Sequence, residues 1–88
     1  MEVVFLEKFV KDLDKIKDKN TRKRIAQAIE KLETADTLEQ ITGLTKLVGF
    51  SSYYRIRVGD YRMGIIVDNQ TVELARVAHR KEIYRLFP

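Results

Sequence analysis

The sequence predicts an α+β fold in one domain spanning residues 1–88: an N-terminal strand and a helical hairpin packed on a small, mainly antiparallel sheet, with a short helix at the C-terminus. Three observations carry that expectation. Between residues 6 and 32, apolar side chains recur every three or four positions, the spacing of helix faces. From residue 53 to 78 they recur every second position, the spacing of strands. And 88 residues, 44% of them hydrophobic, suffice for one core and leave no room for a second.

Residues 3–6 form a short apolar run that reads as a strand buried on both faces. The period then changes. Leu6, Phe9, Val10, Leu13 and Ile16 mark the apolar face of a first helix, with Lys8, Lys11, Asp12, Asp14 and Lys15 on its solvated remainder. Glu7 with Lys11, and Lys8 with Asp12, are opposite charges four residues apart and add about 0.2–0.5 kcal/mol each. Asp18, Lys19 and Asn20 interrupt the pattern, and Asn20 or Thr21 caps a second helix whose stripe is Ile25, Ala28, Ile29 and Leu32. Arg22, Lys23 and Arg24 fall in its first turn, where cations oppose the helix dipole. A nucleic-acid contact would account for them, and a solvated helix end accounts for them more simply. Residues 34–42 form a connector in which Asp36 or Thr37, with Glu39 or Gln40, supplies a capping box. Leu44, Leu47 and Val48 are then buried positions without an assigned partner.

The strand signals begin at residue 53. Tyr54, Ile56 and Val58 alternate with Tyr53, Arg55 and Arg57, so one face is apolar and the other carries guanidinium groups. Gly59-Asp60 suits a two-residue type II′ turn, because glycine accepts the positive φ of its first central position. That loop sets Val58 opposite Tyr61, Arg57 opposite Arg62, and Arg55 opposite Gly64. The next strand turns Tyr61, Met63, Ile65 and Val67 toward the helices, and Arg62, Gly64, Ile66 and Asp68 away from them. Asp68, Asn69 and Gln70 form a turn, and residues 71–78 a further strand. Alternation there puts Arg76 with Val72 and Leu74 on the core face unless a bulge intervenes. After His79, Ile83, Leu86 and Phe87 make the buried stripe of a closing helix, with Arg80 and Tyr84 on one face beside Lys81 and Arg85.

Charge and residue type narrow the function. The chain carries 17 Lys plus Arg against 13 Asp plus Glu, a net charge of +4. Residues 1–50 hold ten basic and nine acidic side chains and residues 51–88 seven and four, so three of the four net charges lie in the last part. Eight of the first ten cations are lysines, whereas six of the last seven are arginines. Arginine's planar fork matches phosphate bidentately and its face stacks on bases. Arg57 and Arg62, side by side, repel by about 0.2–1 kcal/mol, which favours an anion site over a merely solvated strand face.

Several chemistries are excluded. Without cysteine there is neither a disulfide framework nor a thiolate metal site. His79 is the sole imidazole and the carboxylates are scattered among lysines, which disfavours metal catalysis. No nucleophile elbow surrounds Ser51 or Ser52, and glycine-rich phosphate and dinucleotide loops are missing. The N-terminus lacks the features of a signal peptide and no apolar run is long enough to span a bilayer, so a cytoplasmic protein without membrane contact is expected. What remains is a metal-free, cofactor-free site of arginines, one histidine and tyrosines. Such a set suits phosphodiester chemistry on RNA, where the 2′-OH is itself the nucleophile and the protein positions it and neutralises charge. Arg55, Arg57, Arg62 and Arg80 stay protonated and serve as electrostatic groups. Proton transfer falls to His79 or Tyr84, and Tyr84, with Tyr53 or Phe87, can equally stack on bases.

The stretch YYRIRVGDYRMGI followed by VAHRKEIYRLF resembles the signature of the RelE toxins, small ribonucleases of the RelE/ParE superfamily, and the order of helical hairpin, strands and last helix agrees across almost the whole chain. The resemblance implies a fold akin to microbial ribonucleases and a toxin that cuts mRNA in the ribosomal A site by 2′-OH attack, in contact with ribosomal RNA. It also implies a cognate antitoxin that wraps the toxin and displaces or covers its last helix. Carried over by position, Arg55 and Arg57 match the paired basic residues of the family's first arginine strand. Arg62, Arg80 and Tyr84 match its remaining catalytic residues, while Lys81, Arg85 and Tyr53 are further RNA contacts by their own residue type. The best-known member has lysines at the first two positions, and a lysine can lose its proton where arginine essentially cannot. Two other readings stand beside this one: the ParE branch, which shares the fold, lacks the nuclease residues and poisons DNA gyrase, and a non-catalytic RNA-binding module. Arg62, Arg80 and Tyr84 together favour the nuclease.

Overall fold

Five strands make one sheet in the order β1-β5-β4-β3-β2, in a computed structural model that describes residues 1–88. In chain order the elements are β1 (Glu2–Phe5), α1 (Glu7–Lys15), α2 (Lys19–Thr34), a 3₁₀ turn (Leu38–Gln40), β2 (Leu44–Lys46), β3 (Tyr53–Val58), β4 (Tyr61–Asp68), β5 (Thr71–His79) and α3 (Ile83–Leu86). β1 runs parallel to β5 and the other neighbours are antiparallel. The expected α+β architecture is therefore the observed one.

The alternation in β3 and β4 decides which side chains face the helices. Ile56, Val58, Met63 and Ile65 meet Phe9, Ile16, Ile25, Ile29 and Leu32 in a core completed by Val72, Leu74 and Val77 of β5. At about 1.5–3 kcal/mol per fully buried large apolar side chain, this layer holds the hairpin of helices to the sheet. The other face carries a smaller cluster of Leu47, Ala75, Ala78, Ile83 and Phe87. The C-terminal segment thus packs on the arginine side of the sheet, opposite α1 and α2.

Several local expectations give way to tertiary structure. β1 is an edge strand paired on one side only, with Val4 and Phe5 39% and 48% exposed, instead of a strand buried on both faces. Val10 is exposed, while Asp12, assigned to the solvated face, is buried. The cap of α2 is Asp18, whose carboxylate accepts from the Thr21 N–H at 2.9 Å and the Thr21 hydroxyl at 2.8 Å; Asn20 and Thr21 lie inside the helix. Arg22 turns back to donate from Nη1 to the carbonyls of Leu13 (2.7 Å) and Ile16 (3.0 Å), satisfying the open end of α1. In the connector the Gln40 side chain accepts from the Asp36 N–H at 2.8 Å, half of a capping box. β2 pairs with β3 and brings Leu44 to the main core, whereas Val48 stands free at the following turn.

Arg76 owes its place to a bulge. Gly64 pairs with Arg76 but Ile65 pairs with Leu74, so Ala75 is the extra residue of β5. Before the bulge Val72 and Leu74 face the helices; after it Val77 does, and Arg76 leaves the core. Its Nε and Nη2 donate to the two Asp12 oxygens at 2.7 and 3.0 Å. β1 pairs only as far as Leu74, which leaves the outer edge of β5 open, and Asp12 closes it by accepting the Val77 N–H at 3.1 Å.

Candidate nucleic-acid cleft

The β3–β4 turn sets the arginines. Gly59 has φ +61° and Asp60 has no positive φ, as a type II′ turn requires, and the predicted register follows: Val58 with Tyr61, Arg57 with Arg62, Arg55 with Gly64. Just before β2, Gly43 at φ +81° lets the chain approach β3 so closely that its carbonyl accepts the Arg57 N–H at 3.1 Å. A Cβ at Gly43 would lie 3.3 Å from the Arg57 carbonyl oxygen.

Between these strands and α3 opens a cleft of about 330 Å3 lined by Arg55, Arg57, Arg62 and Tyr84, with Gly43, Leu44 and Thr45 on its β2 side. No carboxylate lines it. Arg62 spends Nη1 on the carbonyls of Gly59 and Tyr61, both at 3.0 Å, which holds the guanidinium and leaves its Nε–Nη2 edge for a ligand. Arg55 lies under the Tyr84 ring, its Cζ 4.4 Å from the centroid, a cation–π contact. Its Nη2 is 3.5 Å from the Phe87 carbonyl, and its buried Nε has no partner. Arg57 is exposed at the cleft mouth.

Tyr84 is 67% exposed and depends on its neighbours for position. Ile83 and Phe87 on either side of it are buried. The Phe87 ring fills the space above Gly64, where a Cβ would come within 2.5 Å of it, and stacks on Tyr53 at 5.4 Å and 22°. Tyr53 in turn lies 5.3 Å from Phe50. So Tyr53 is held in an aromatic stack beneath the C-terminus, outside the cleft.

The remaining predicted residues are not gathered here. α3 begins only at Ile83, with residues 80–82 in a turn, so Arg80 and Tyr84 do not share a helix face. Arg80 is tied to the hairpin by its N–H, which donates to the Asp60 carbonyl at 2.7 Å, and its side chain is exposed without lining the cleft. His79 pairs with Tyr61, which places it on the helix side of the sheet, and its ring meets Tyr61 edge-on at 5.7 Å. Its Nδ1 accepts the Lys81 N–H at 3.2 Å, and with Arg85 it lines a different hollow beside Asp12 and Arg76. Lys81 is exposed in the turn. Gly43, Leu44 and Thr45 were not expected in the cleft; the glycine before a short apolar run was their one signal in the sequence.

A helical hairpin over one face of a five-stranded sheet, with an arginine cleft on the opposite face, has relatives. A family model described as the ParE toxin of the type II toxin–antitoxin system parDE matches residues 3–84. That match over most of the chain makes it a toxin of a type II toxin–antitoxin system. Toxin RelE3 of Methanocaldococcus jannaschii is 44% identical over 89 aligned positions, covering all of both chains. The RelB–RelE antitoxin–toxin complex from Methanococcus jannaschii contains a chain 42% identical to this one, with TM-score 0.82 over 97% of this chain and 99% of that one. The archaeal RelE–RelB complex from Pyrococcus horikoshii OT3 is similar at TM-score 0.73 over 90% and 93% of the two chains, a likeness of fold at 24% identity. The ParE model gives the class and the full-length identity gives the branch: the chain belongs to the RelE family of toxins.

Proposed function

We propose that this toxin is a metal-independent endoribonuclease that cuts mRNA in the ribosomal A site and so stops translation in the cytoplasm, and that a cognate antitoxin holds it in check. One observation carries the reading: Arg55, Arg57, Arg62 and Tyr84, from segments about thirty residues apart in sequence, line one cleft that has no carboxylate. The cleft suits a phosphodiester flanked by bases. The free edge of Arg62 and the Arg57 guanidinium take the non-bridging oxygens, while Arg55 sets the Tyr84 ring for a base to stack on. The 2′-oxygen attacks the adjacent phosphorus and the bond to the 5′-oxygen breaks, leaving a cyclic phosphate and a 5′-hydroxyl. The arginines bind the extra negative charge of the intermediate, each well-placed donor being worth about 10²–10³ in rate. They do not move the proton from the 2′-OH to the leaving oxygen. Tyr84 is the titratable group of the cleft besides the arginines, and His79, on the other face, receives no role. Arg80, Lys81 and Arg85 serve as outer contacts to message or ribosomal RNA. The antitoxin is supported by the RelB partners of both archaeal RelE structures.

The test is to mix the purified protein with programmed ribosomes and map message ends. New ends at the A-site codon are expected, with no metal added. Intact message together with inhibited gyrase supercoiling would move the chain to the ParE reading, and RNA held but uncut would make it a binding module.

A further inference from the structure

A hollow of about 590 Å3 lies between α2 and the free end of β3. Arg24, Gln27, Ala28 and Lys31, spaced as one helix face, form one wall. Ile56, Arg57 and Val58 form the other, with the apolar side chains as floor. Arg24, Lys31 and Arg57 are exposed, and none makes an ion pair or donates a side-chain hydrogen bond within the protein. Asp60 is the one acid in the lining. The Arg24 guanidinium lies in the room left by the missing side chain of Gly59, where a Cβ would stand 2.8 Å from Nη1. The Arg22–Arg24 cluster therefore divides: Arg22 closes α1, while Arg24, beyond the first turn of a helix that begins at Lys19, faces the groove without a counter-ion. Gly43 and Arg57 line both this groove and the cleft, so the two adjoin on either side of that hydrogen-bonded pair.

We infer that this groove is a second binding site, which takes the phosphate backbone of the RNA strand as it leaves the cleft. The inference rests on the nuclease reading for the strand's direction. Three spaced, unpaired cations suit a polyanion, whose recognition needs charge without a fixed ladder. A peptide strand fits poorly: β2 already pairs with β3 as far as Ile56, and the Arg57 N–H is bound to the Gly43 carbonyl.

The experiment measures binding of a short single-stranded RNA with methylated 2′-hydroxyls, which can be bound but not cut, by fluorescence anisotropy over a range of salt. Each phosphate left without its cation lowers the slope of log K against log salt by about 0.7. Lys31→Ala is expected to lower it by about that amount and Arg24→Ala with Lys31→Ala by about twice as much, with unchanged melting temperature. Salt slopes equal to the unsubstituted protein's would overturn the groove site, as would wild-type RNA binding that does not respond to salt. Unchanged slopes with weaker binding of a poly-glutamate peptide would overturn it in favour of an acidic protein segment. Message cut on ribosomes with unchanged slopes sinks the groove alone, whereas reduced slopes without any cutting support the groove and sink the nuclease.

Discussion

Arg55 and Arg76 lie in one row across three strands, with Gly64 between them, and their surroundings differ completely. Arg76 has both nitrogens of its fork on the Asp12 carboxylate, and that hydrogen bonding, outweighing desolvation, raises its already high pKa. Arg55 has no carboxylate near it: a ring covers its face, one nitrogen lies at the limit of hydrogen-bonding distance from a carbonyl, and its Nε is unpaired. In Arg76 an internal anion already occupies the position a phosphate would take, so this arginine serves the fold. At Arg55 no internal anion takes that position, and at Arg57 and the free edge of Arg62 it is open. The difference arises in the covering elements, since α1 delivers an acid to the β5 edge while α3 delivers aromatic rings and a carbonyl.

Removing the internal anion should break the contrast most severely. Asp12→Ala leaves a mostly buried arginine without its counter-ion and the Val77 N–H without an acceptor, and should cost about 3–5 kcal/mol in urea denaturation. Cutting by the fraction still folded should be unaffected. A variant as stable as the unsubstituted protein would show that Arg76 is no more structural than Arg55.

The complementary change is Arg62→Ala. It should slow message cutting by about 10²–10³-fold, or 2.7–4 kcal/mol in the barrier. Stability should fall by about 1 kcal/mol, because two hydrogen bonds to carbonyls at a turn are lost while the repulsion with Arg57 is relieved. Full activity would remove Arg62 from the cleft's chemistry, and a large loss of stability would class it with Arg76.

Gly64, between the two arginines, links the regions. Gly64→Ala drives a methyl into the Phe87 ring, an overpacking expected to cost about 1–3 kcal/mol by urea denaturation. Because Phe87 anchors the turn that carries Tyr84 over Arg55, cutting should also weaken while the Asp12–Arg76 pair stays intact. Loss of stability with normal cutting would show that the cleft does not need Tyr84 held in place.

How far these features were legible follows from how local their causes are. The arginine hairpin was readable to the residue, because a two-residue turn and strict alternation leave one register. The α2 stripe was equally plain. The surroundings of Arg76 were not, since alternation assumes an uninterrupted ladder and Ala75 interrupts it. Asp12 carries no local sign of burial; its role comes from where β1 stops alongside β5. β2, at three residues, is too short to show a period. His79 and Arg80 were adjacent candidates in sequence, and the strand's end puts His79 on the helix side while Arg80 enters a turn.

The smallest expected effect concerns a second carboxylate in the helical layer, Asp18, which is exposed where Asp12 is buried. Its pKa is lowered, first by the Thr21 hydroxyl and then by the Thr21 N–H, against a smaller opposing push from desolvation. A carboxylate held below its ordinary value near 4 is favoured in its charged form by the folded state. Its contribution is therefore complete above that ordinary value and disappears as pH falls through the lowered one. Asp18→Asn should be slightly less stable than the unsubstituted protein at neutral pH, and the two urea-denaturation curves should converge as pH falls through the lowered value. Added salt should narrow the neutral-pH gap, as it does for exposed charges, while leaving the loss caused by Asp12→Ala nearly intact. If salt or acid reduced both losses equally, burial would not be what separates the two acids, and the special standing of the Asp12–Arg76 pair would go with it.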